Sequence, residues 1–444
     1  MRRQIPVLAL LLLVVPVQAQ TPSADAALVA RAEALVDALI AGNTETVAAD
    51  FNEQMQAALS PEQLAGLAPS LHAQLGAPRE RVGTRVEAQP PITTVVVTQR
   101  FERATADVLV SFDAEGRVAG LFVRPTPPPP APPTWPPYAD SSRYRTEGAT
   151  VDAGVGLPLG ATLLVPDADG PVPGVVLVHG SGPSDRDGTQ GPNKPLRDLA
   201  VGFASEGVST LRFDKRTTVY PASFADTTYT VAEESIDDAL AALDVLRRHP
   251  GIDPARLFVV GHSLGGTLAP RIAQRAAQRG TPVAGIAVLA GGARPLDVIL
   301  EDQLAHLDDV APEGASRRAP IRDDIARIRA LTPADTSRAD PIFHAPPAYW
   351  LDLAVHPPAP IAAALGVPVL VVHAGRDYNV PDADFAVWQG ALADAPGATL
   401  RRYPTLNHLL FAGEGLSTPA EYERQGFVDA ALVRETAAWI RGER

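Results

Sequence analysis

The chain has 444 residues, 46% hydrophobic and 20% charged, with 38 Lys and Arg against 51 Asp and Glu for a formal net charge of −13. That hydrophobic content excludes a mostly disordered chain and gives room for two domains, while the acidic balance without a basic cluster excludes an electrostatic nucleic-acid binder. Cysteine is absent, which excludes a disulfide scaffold, a thiol nucleophile, a thiolate metal site and a lipid-modified N-terminal cysteine.

Residues 1–19 read as a secretory signal peptide: Arg2 and Arg3 precede an apolar run at 5–15, and Val17-Gln18-Ala19 offers small residues for cleavage. The run is too short to span a hydrocarbon core of about 30 Å, so the expectation is an exported protein, periplasmic or extracellular, without stable membrane insertion.

Residues 24–124 predict a small α+β domain. Ala27, Leu28, Ala30, Leu35, Val36, Leu39 and Ile40 recur mostly at helical spacing. Asn43 or Thr44 starts a second helix carrying Val47, Ala48, Phe51 and Met55, and Ser60-Pro61-Glu62-Gln63 is a start signal for another. The period then changes, and the Val-, Thr- and Phe-rich runs at 93–99, 104–112 and 118–123 read as an antiparallel meander under the helices. At 125–138 a run of four prolines, 127–130, and four more at 132, 133, 136 and 137 predict a stiff polyproline linker.

Residues 139–444 alternate short apolar runs with Ala-rich helical segments, the pattern of an α/β fold with a mostly parallel sheet covered on both faces. The expected strands are 174–178, 208–213, 256–260, 284–289, 367–372 and 398–403, preceded by an antiparallel hairpin at 145–151 and 158–165. Helices are expected near 195–206, 232–248, 265–279, 383–394 and 427–441. Residues 293–360 interrupt this rhythm and read as an inserted helical cap at the C-terminal edge of the sheet, or else as an excursion packed beside the core.

Gly261-His262-Ser263-Leu264-Gly265-Gly266 follows an apolar strand and opens a helix, the context a G-x-S-x-G nucleophile elbow requires. Ser263 is the candidate nucleophile. In such a fold the order is serine, acid, histidine, and His408 is the only one of nine histidines after Asp377. Asp377, after the strand at 367–372, is the candidate acid, with Asp297 as its rival. The Leu264 N–H would give one oxyanion donor and Ser181 N–H, or alternatively Gly182 N–H, the second. His179 and His262 read as packing residues and Arg376 as a surface ion-pair partner. Asp185, Asp187, Lys215 and Arg216 form a candidate ion-pair network bracing the oxyanion loop. Asp167-Ala168-Asp169-Gly170 and Asp185-Arg186-Asp187-Gly188 lack the full oxygen set of a calcium loop and read as turns.

The segments His179-Gly180-Ser181-Gly182-Pro183, Leu211-Arg212-Phe213-Asp214-Lys215-Arg216, the elbow, Gly375-Arg376-Asp377-Tyr378-Asn379-Val380 and Leu406-Asn407-His408-Leu409-Leu410-Phe411 resemble the exported bacterial α/β-hydrolases of the dienelactone-hydrolase and serine-aminopeptidase-like superfamily. The closer likeness is to acyl esterases that carry a small N-terminal domain of unknown function (DUF3887-like), which residues 25–123 resemble. The resemblance implies an α/β-hydrolase fold and carboxylic-ester hydrolysis by Ser263, Asp377 and His408. The chain departs from the family at Thr217-Thr218-Val219, where Gly is common after Asp-Lys-Arg, and at Asn379, where Gln is common. The expected substrate is a small soluble ester of short to medium acyl length, C2 to C8, with no cofactor and no metal. The same parts also serve peptidases or amidases and, less readily outside the cytoplasm, thioesterases or acyltransferases.

Overall fold

The structure is a computed structural model that describes residues 24–89, 92–126, 134–225 and 227–443. Residues 1–19, read above as a signal peptide, and residues 127–133 of the expected linker lie outside the described residues. The chain divides into two compact units, Met1–Pro133 and Thr134–Arg444.

The first unit carries α1 (Ala24–Ile40), α2 (Thr44–Ala49), α3 (Glu53–Ala58) and α4 (Pro61–Leu75), then β1 (Pro78–Gln89), β2 (Ile92–Phe101), β3 (Thr105–Phe112) and β4 (Val118–Pro125). The strands form one antiparallel sheet in chain order. Its core packs Leu35, Val36 and Leu39 of α1 and Leu64 of α4 on Val95, Val97, Val108, Val110 and Phe112. Two features differ from the sequence expectation. The second helix is broken at Phe51, whose flanking backbone pairs with β4: Asn52 N–H donates to the Val118 carbonyl at 2.9 Å and Val118 N–H to that of Asp50 at 2.8 Å. Asn52 then caps α3 by accepting from Met55 N–H. β1 is an additional edge strand with little apolar alternation, whose Arg81 reaches Glu33 and Asp37 of α1.

The second unit runs β5 (Tyr144–Val151), β6 (Leu159–Pro166), β7 (Val172–Val178), α5 (Pro195–Ser205), β8 (Ser209–Phe213), the short α6 (Arg216–Val219), a π-helical turn (Ala232–Ile236), α7 (Asp237–Arg248), β9 (Ile252–His262) and α8 (Leu264–Gln278). It continues with β10 (Gly285–Leu289), α9 (Leu296–Val310), α10 (Ala315–Arg329), α11 (Pro347–Ala354), α12 (Pro358–Ala363), β11 (Val369–Ala374), α13 (Asp382–Leu392), β12 (Ala398–Tyr403) and α14 (Ala430–Arg441). The sheet order is β12-β11-β10-β9-β7-β8-β6-β5, parallel from β12 through β8, with β6 and β5 antiparallel at the edge. Both faces are covered. Leu199 and Phe203 of α5 and Leu432 and Val433 of α14 pack on one; Leu240 of α7, Ile272 of α8 and Trp388 of α13 pack on the other.

The insert between β10 and β11 is helical, as its periodicity implies, but α12 packs against α8 and α13 with Ala359 and Ala362 in the main core, so residues 358–363 belong to the helical layer of the body. Residues 134–138 likewise pack within the second unit: Arg197 Nη2 donates to the Thr134 carbonyl at 2.9 Å and its guanidinium lies over the Trp135 ring. Among the described residues no helix is long and apolar enough to cross a membrane.

Candidate active site

The site begins with two backbone collisions that glycine avoids. A Cβ at Gly261, near the end of β9, would overlap the Gly265 carbonyl, and one at Gly265, in the first turn of α8, would overlap the Val178 and His179 carbonyls of the neighbouring strand end. Strand and helix therefore approach closely enough to pinch the two residues between them. Ser263 sits at that pinch with φ 56° and ψ −124°, a conformation costing a non-glycine residue on the order of 1–3 kcal/mol. Its N–H donates to the Leu289 carbonyl of β10 at 2.9 Å, which holds the turn at the sheet edge.

Asp377 follows β11 and His408 follows β12, so adjacent parallel strands deliver them side by side. His408 Nδ1 lies 2.7 Å from Asp377 Oδ2, and its Nε2 lies 3.0 Å from Ser263 Oγ. With Nδ1–H donated to the carboxylate, Nε2 is free to accept from the serine hydroxyl. Asp377 is fully buried, and its other oxygen accepts the N–H groups of Asn379 at 2.7 Å and Val380 at 2.9 Å. The His408 loop is tied by Asn407, whose Oδ1 accepts from Leu409 and Phe411 N–H and whose Nδ2 donates to Glu421. Asp297, the rival acid, instead pairs with Arg329 on the insert.

His262 Nε2–H donates to the His408 carbonyl at 2.7 Å, and burial pushes its imidazole down to about 4, helped by the neighbouring His408 ring. His179 is also pushed down to about 4, mainly by burial and secondly by the nearby Lys215 cation, and donates to the Phe213 carbonyl. Both are neutral braces at neutral pH.

Ser181, Gly182, Ser263, Leu264 and His408 open onto one cavity of about 650 Å³. Leu264 is the first residue of α8, so its N–H has no intrahelical acceptor. Gly180 lies against Ser263; a Cβ there would be 3.2 Å from Ser263 Cβ. The walls are mostly apolar, with Leu296, Ile299 and Leu300 of α9 and Phe343, Tyr349, Trp350 and Leu353 of the later insert; α10 is not part of the lining. Among the described residues no cluster of three or more His, Asp or Glu side chains is arranged to hold a metal ion.

Two sequence expectations are corrected here. Asp185 and Asp187 do not pair with Lys215 and Arg216: Asp185 closes a turn on Asp187 and Thr189, Asp187 pairs with Lys194 and Arg212, and Arg216 pairs with Asp238 of α7. Lys215 instead meets Glu234 and the carbonyls of Gly180 and Gly182. Arg376 is buried, joining Glu421 and the Glu414 and Gly415 carbonyls beneath the His408 loop. Sequence reasoning had no signal for Glu234, whose partners Lys215 and Tyr349 lie distant in the chain, and it gave Asn407, beside His408, no role although its bonds to Leu409 and Phe411 N–H are local.

The sheet order and the elbow define an α/β-hydrolase. Residues 230–412 match the family model described as alpha/beta hydrolase fold, and residues 32–121 match that of a protein of unknown function, DUF3887. Esterase EstD of Thermotoga maritima is 36% identical over 408 residues, which cover 91% of this chain and 93% of that protein. The chain belongs to this family of α/β-hydrolase esterases. Solved structures with similarity include the esterase of Pyrobaculum calidifontis, 20% identical over 67% of this chain and 85% of that one with a TM-score of 0.43. A puromycin-hydrolyzing peptidase of Mycobacterium tuberculosis is 18% identical over 80% and 46% of the two chains with a TM-score of 0.44. At those scores neither bears on function.

Proposed function

We propose that this esterase works through an acyl-serine intermediate with Ser263 as nucleophile, His408 as general base and Asp377 as its orienting acid. The observation that carries the reading is the unbroken hydrogen-bonded chain from Ser263 Oγ through His408 to Asp377 at the mouth of an apolar cavity. Ser263 Oγ attacks the ester carbonyl as His408 Nε2 takes its proton, and the N–H groups of Leu264 and Ser181 receive the oxyanion. His408 then protonates the departing alcohol. Water, giving a proton to the same imidazole, attacks the acyl-Ser263 carbonyl; the bond between Ser263 Oγ and the acyl carbon then breaks, Oγ recovers the proton from His408, and the carboxylic acid is released.

The substrate proposed is a soluble ester with a short to medium acyl group. The insert supplies a bounded apolar wall, where each methylene that fits gains about 0.8 kcal/mol and each that clashes loses binding. Export to the periplasm or beyond is proposed from residues 1–19, and a domain boundary within 125–138 from the prolines there. The test is a panel of p-nitrophenyl esters from acetate to palmitate beside aminoacyl anilides, with Ser263→Ala as control. The expected result is turnover peaking between C2 and C8, absent in the variant; kcat/KM rising through C16, or faster anilide cleavage, overturns the substrate reading.

A further inference from the structure

The loop that carries the second oxyanion donor, Gly180-Ser181-Gly182-Pro183, has almost no means of fixing itself: two glycines, a proline, and a serine whose side chain makes no hydrogen bond among the described residues. Beneath it lies an ammonium group. Lys215, 1% exposed, puts Nζ at 3.0 Å from the Gly180 carbonyl, 3.0 Å from the Gly182 carbonyl and 3.0 Å from Glu234 Oε1, so three N–H donors meet three acceptors. Glu234 is equally enclosed; its Oε2 accepts from Tyr349 O–H at 3.1 Å and Ser235 O–H at 3.3 Å. Tyr349 stands in the cavity wall, and Glu234 lies in the π-helical turn ahead of α7.

We propose that Lys215, anchored by Glu234, is a positioning residue for the oxyanion hole: it fixes the Gly180–Ser181 peptide so that the Ser181 N–H faces the reacting carbonyl oxygen. The inference rests on the acyl-serine reading above. In a trans peptide the N–H points opposite to the C=O. With the Gly180 carbonyl held on Lys215, the Ser181 N–H must point away from the lysine, on the side where the loop meets Ser263 and the cavity. The second bond goes to the carbonyl before Pro183, a peptide with no N–H, so it pins the loop without orienting a rival donor. The Gly182 N–H belongs to the Ser181–Gly182 peptide, whose carbonyl the lysine does not hold. That selects Ser181 over Gly182. A carbonyl that accepts from a cation also polarises its peptide and strengthens the N–H on the other side. A buried ion pair is a poor way to gain stability, because a well-packed apolar pair does as well or better; two charges retained directly under this loop are accounted for by what they orient.

The test uses the full chain. Lys215→Met is expected to fold and to lower kcat about 30- to 300-fold, near the loss from removing one oxyanion donor, with KM within threefold. Fluorophosphonate should still titrate one Ser263 per chain, and affinity for an alkyl boronic acid should weaken in step with kcat/KM. Because Lys215→Met strands a carboxylate, the double variant Lys215→Met/Glu234→Gln carries the test if the single one fails to fold. It is expected to be more stable than the single variant and equally slow. A folded variant lacking Lys215 with kcat within fivefold of the parent, or with a loss confined to KM, overturns the proposal. Full activity in Ser263→Ala would overturn the acyl-serine reading instead, so the two failures are told apart.

Discussion

The two flanks of Ser263 are held by different physics. On the side of β11 and β12, the groups that bond directly to Asp377 and to the His408 loop backbone are neutral: peptide N–H groups of Asn379 and Val380 on Asp377, and the Asn407 amide inside the His408 loop, with the Arg376–Glu421 pair one step further out. On the other side the loop at 180–183 is held from outside by a buried cation and its carboxylate. The difference follows from what each flank presents. Asp377 is itself an anion and needs only oriented donors; a second full charge would compete with His408 for it. The glycine-rich loop presents carbonyls to the protein interior, and one ammonium satisfies two of them while leaving the N–H edge facing the cavity.

The largest expected effect removes the point where the flanks meet. Ser263→Ala should lower kcat/KM by at least about 10⁴-fold with a native-like circular dichroism spectrum, and abolish fluorophosphonate labelling. Asp377→Asn should cost about 10³- to 10⁴-fold in kcat, since the carboxylate holds the tautomer and stabilises the imidazolium. Asp297→Asn, measured in parallel, should stay within twofold because that side chain is engaged with Arg329. Next comes the neutral brace. Asn407→Ala loses two accepted N–H bonds and one donated to Glu421, an expected loss of about 2–3 kcal/mol in denaturant-measured stability. Its kcat should fall about tenfold, less than in Lys215→Met if the charged flank does more of the positioning.

The smallest effect is a change of slope. His262 is held neutral and its pKa falls from 6.5 to about 4, chiefly by burial. Between these values the unfolded chain binds a proton that the folded chain refuses, so this group makes stability fall as pH drops through that window and leaves it unaffected above. His262→Gln, which retains a donor for the His408 carbonyl, should make the acid limb of the Tm–pH profile shallower by about one proton.

What could be read from sequence was what the backbone itself enforces. Gly261 and Gly265 are legible because any side chain there overlaps a carbonyl, and the strand–serine–helix context gives the elbow its meaning. Parallel strands delivering loops to one sheet edge make the order of Ser263, Asp377 and His408 informative before any coordinates exist. What was illegible depends on partners far along the chain. Nothing near Lys215 announces Glu234, and a reading of neighbours paired Lys215 with the wrong carboxylates at 185 and 187. Arg376 looked superficial because charge alone suggests solvent, whereas a loop folding over it supplies carbonyls and Glu421. β1 escaped detection because none of its residues 78–87 is buried, so this edge strand has no buried face to give it an apolar alternation. The four residues that open β9, with Pro254 among them, look like a turn in isolation.

The π-helical turn at Ala232–Ile236 has a consequence for how this site can vary. Such a turn is an α-helix carrying one surplus residue, absorbed locally so that the helix beyond keeps its register. Here that register matters, because Asp238 must meet Arg216 and Leu240 must reach the sheet core. Loss of a single codon between Glu234 and α7, at position 235 or 236, is expected to restore plain α-helix and leave α7 seated, while rotating the preceding positions by about 100° and carrying Glu234 away from the lysine. The anchor of the oxyanion loop is thus separable from the fold by one in-frame deletion, which makes this turn the place where a lineage could gain or discard the buried pair without rebuilding the enzyme around it.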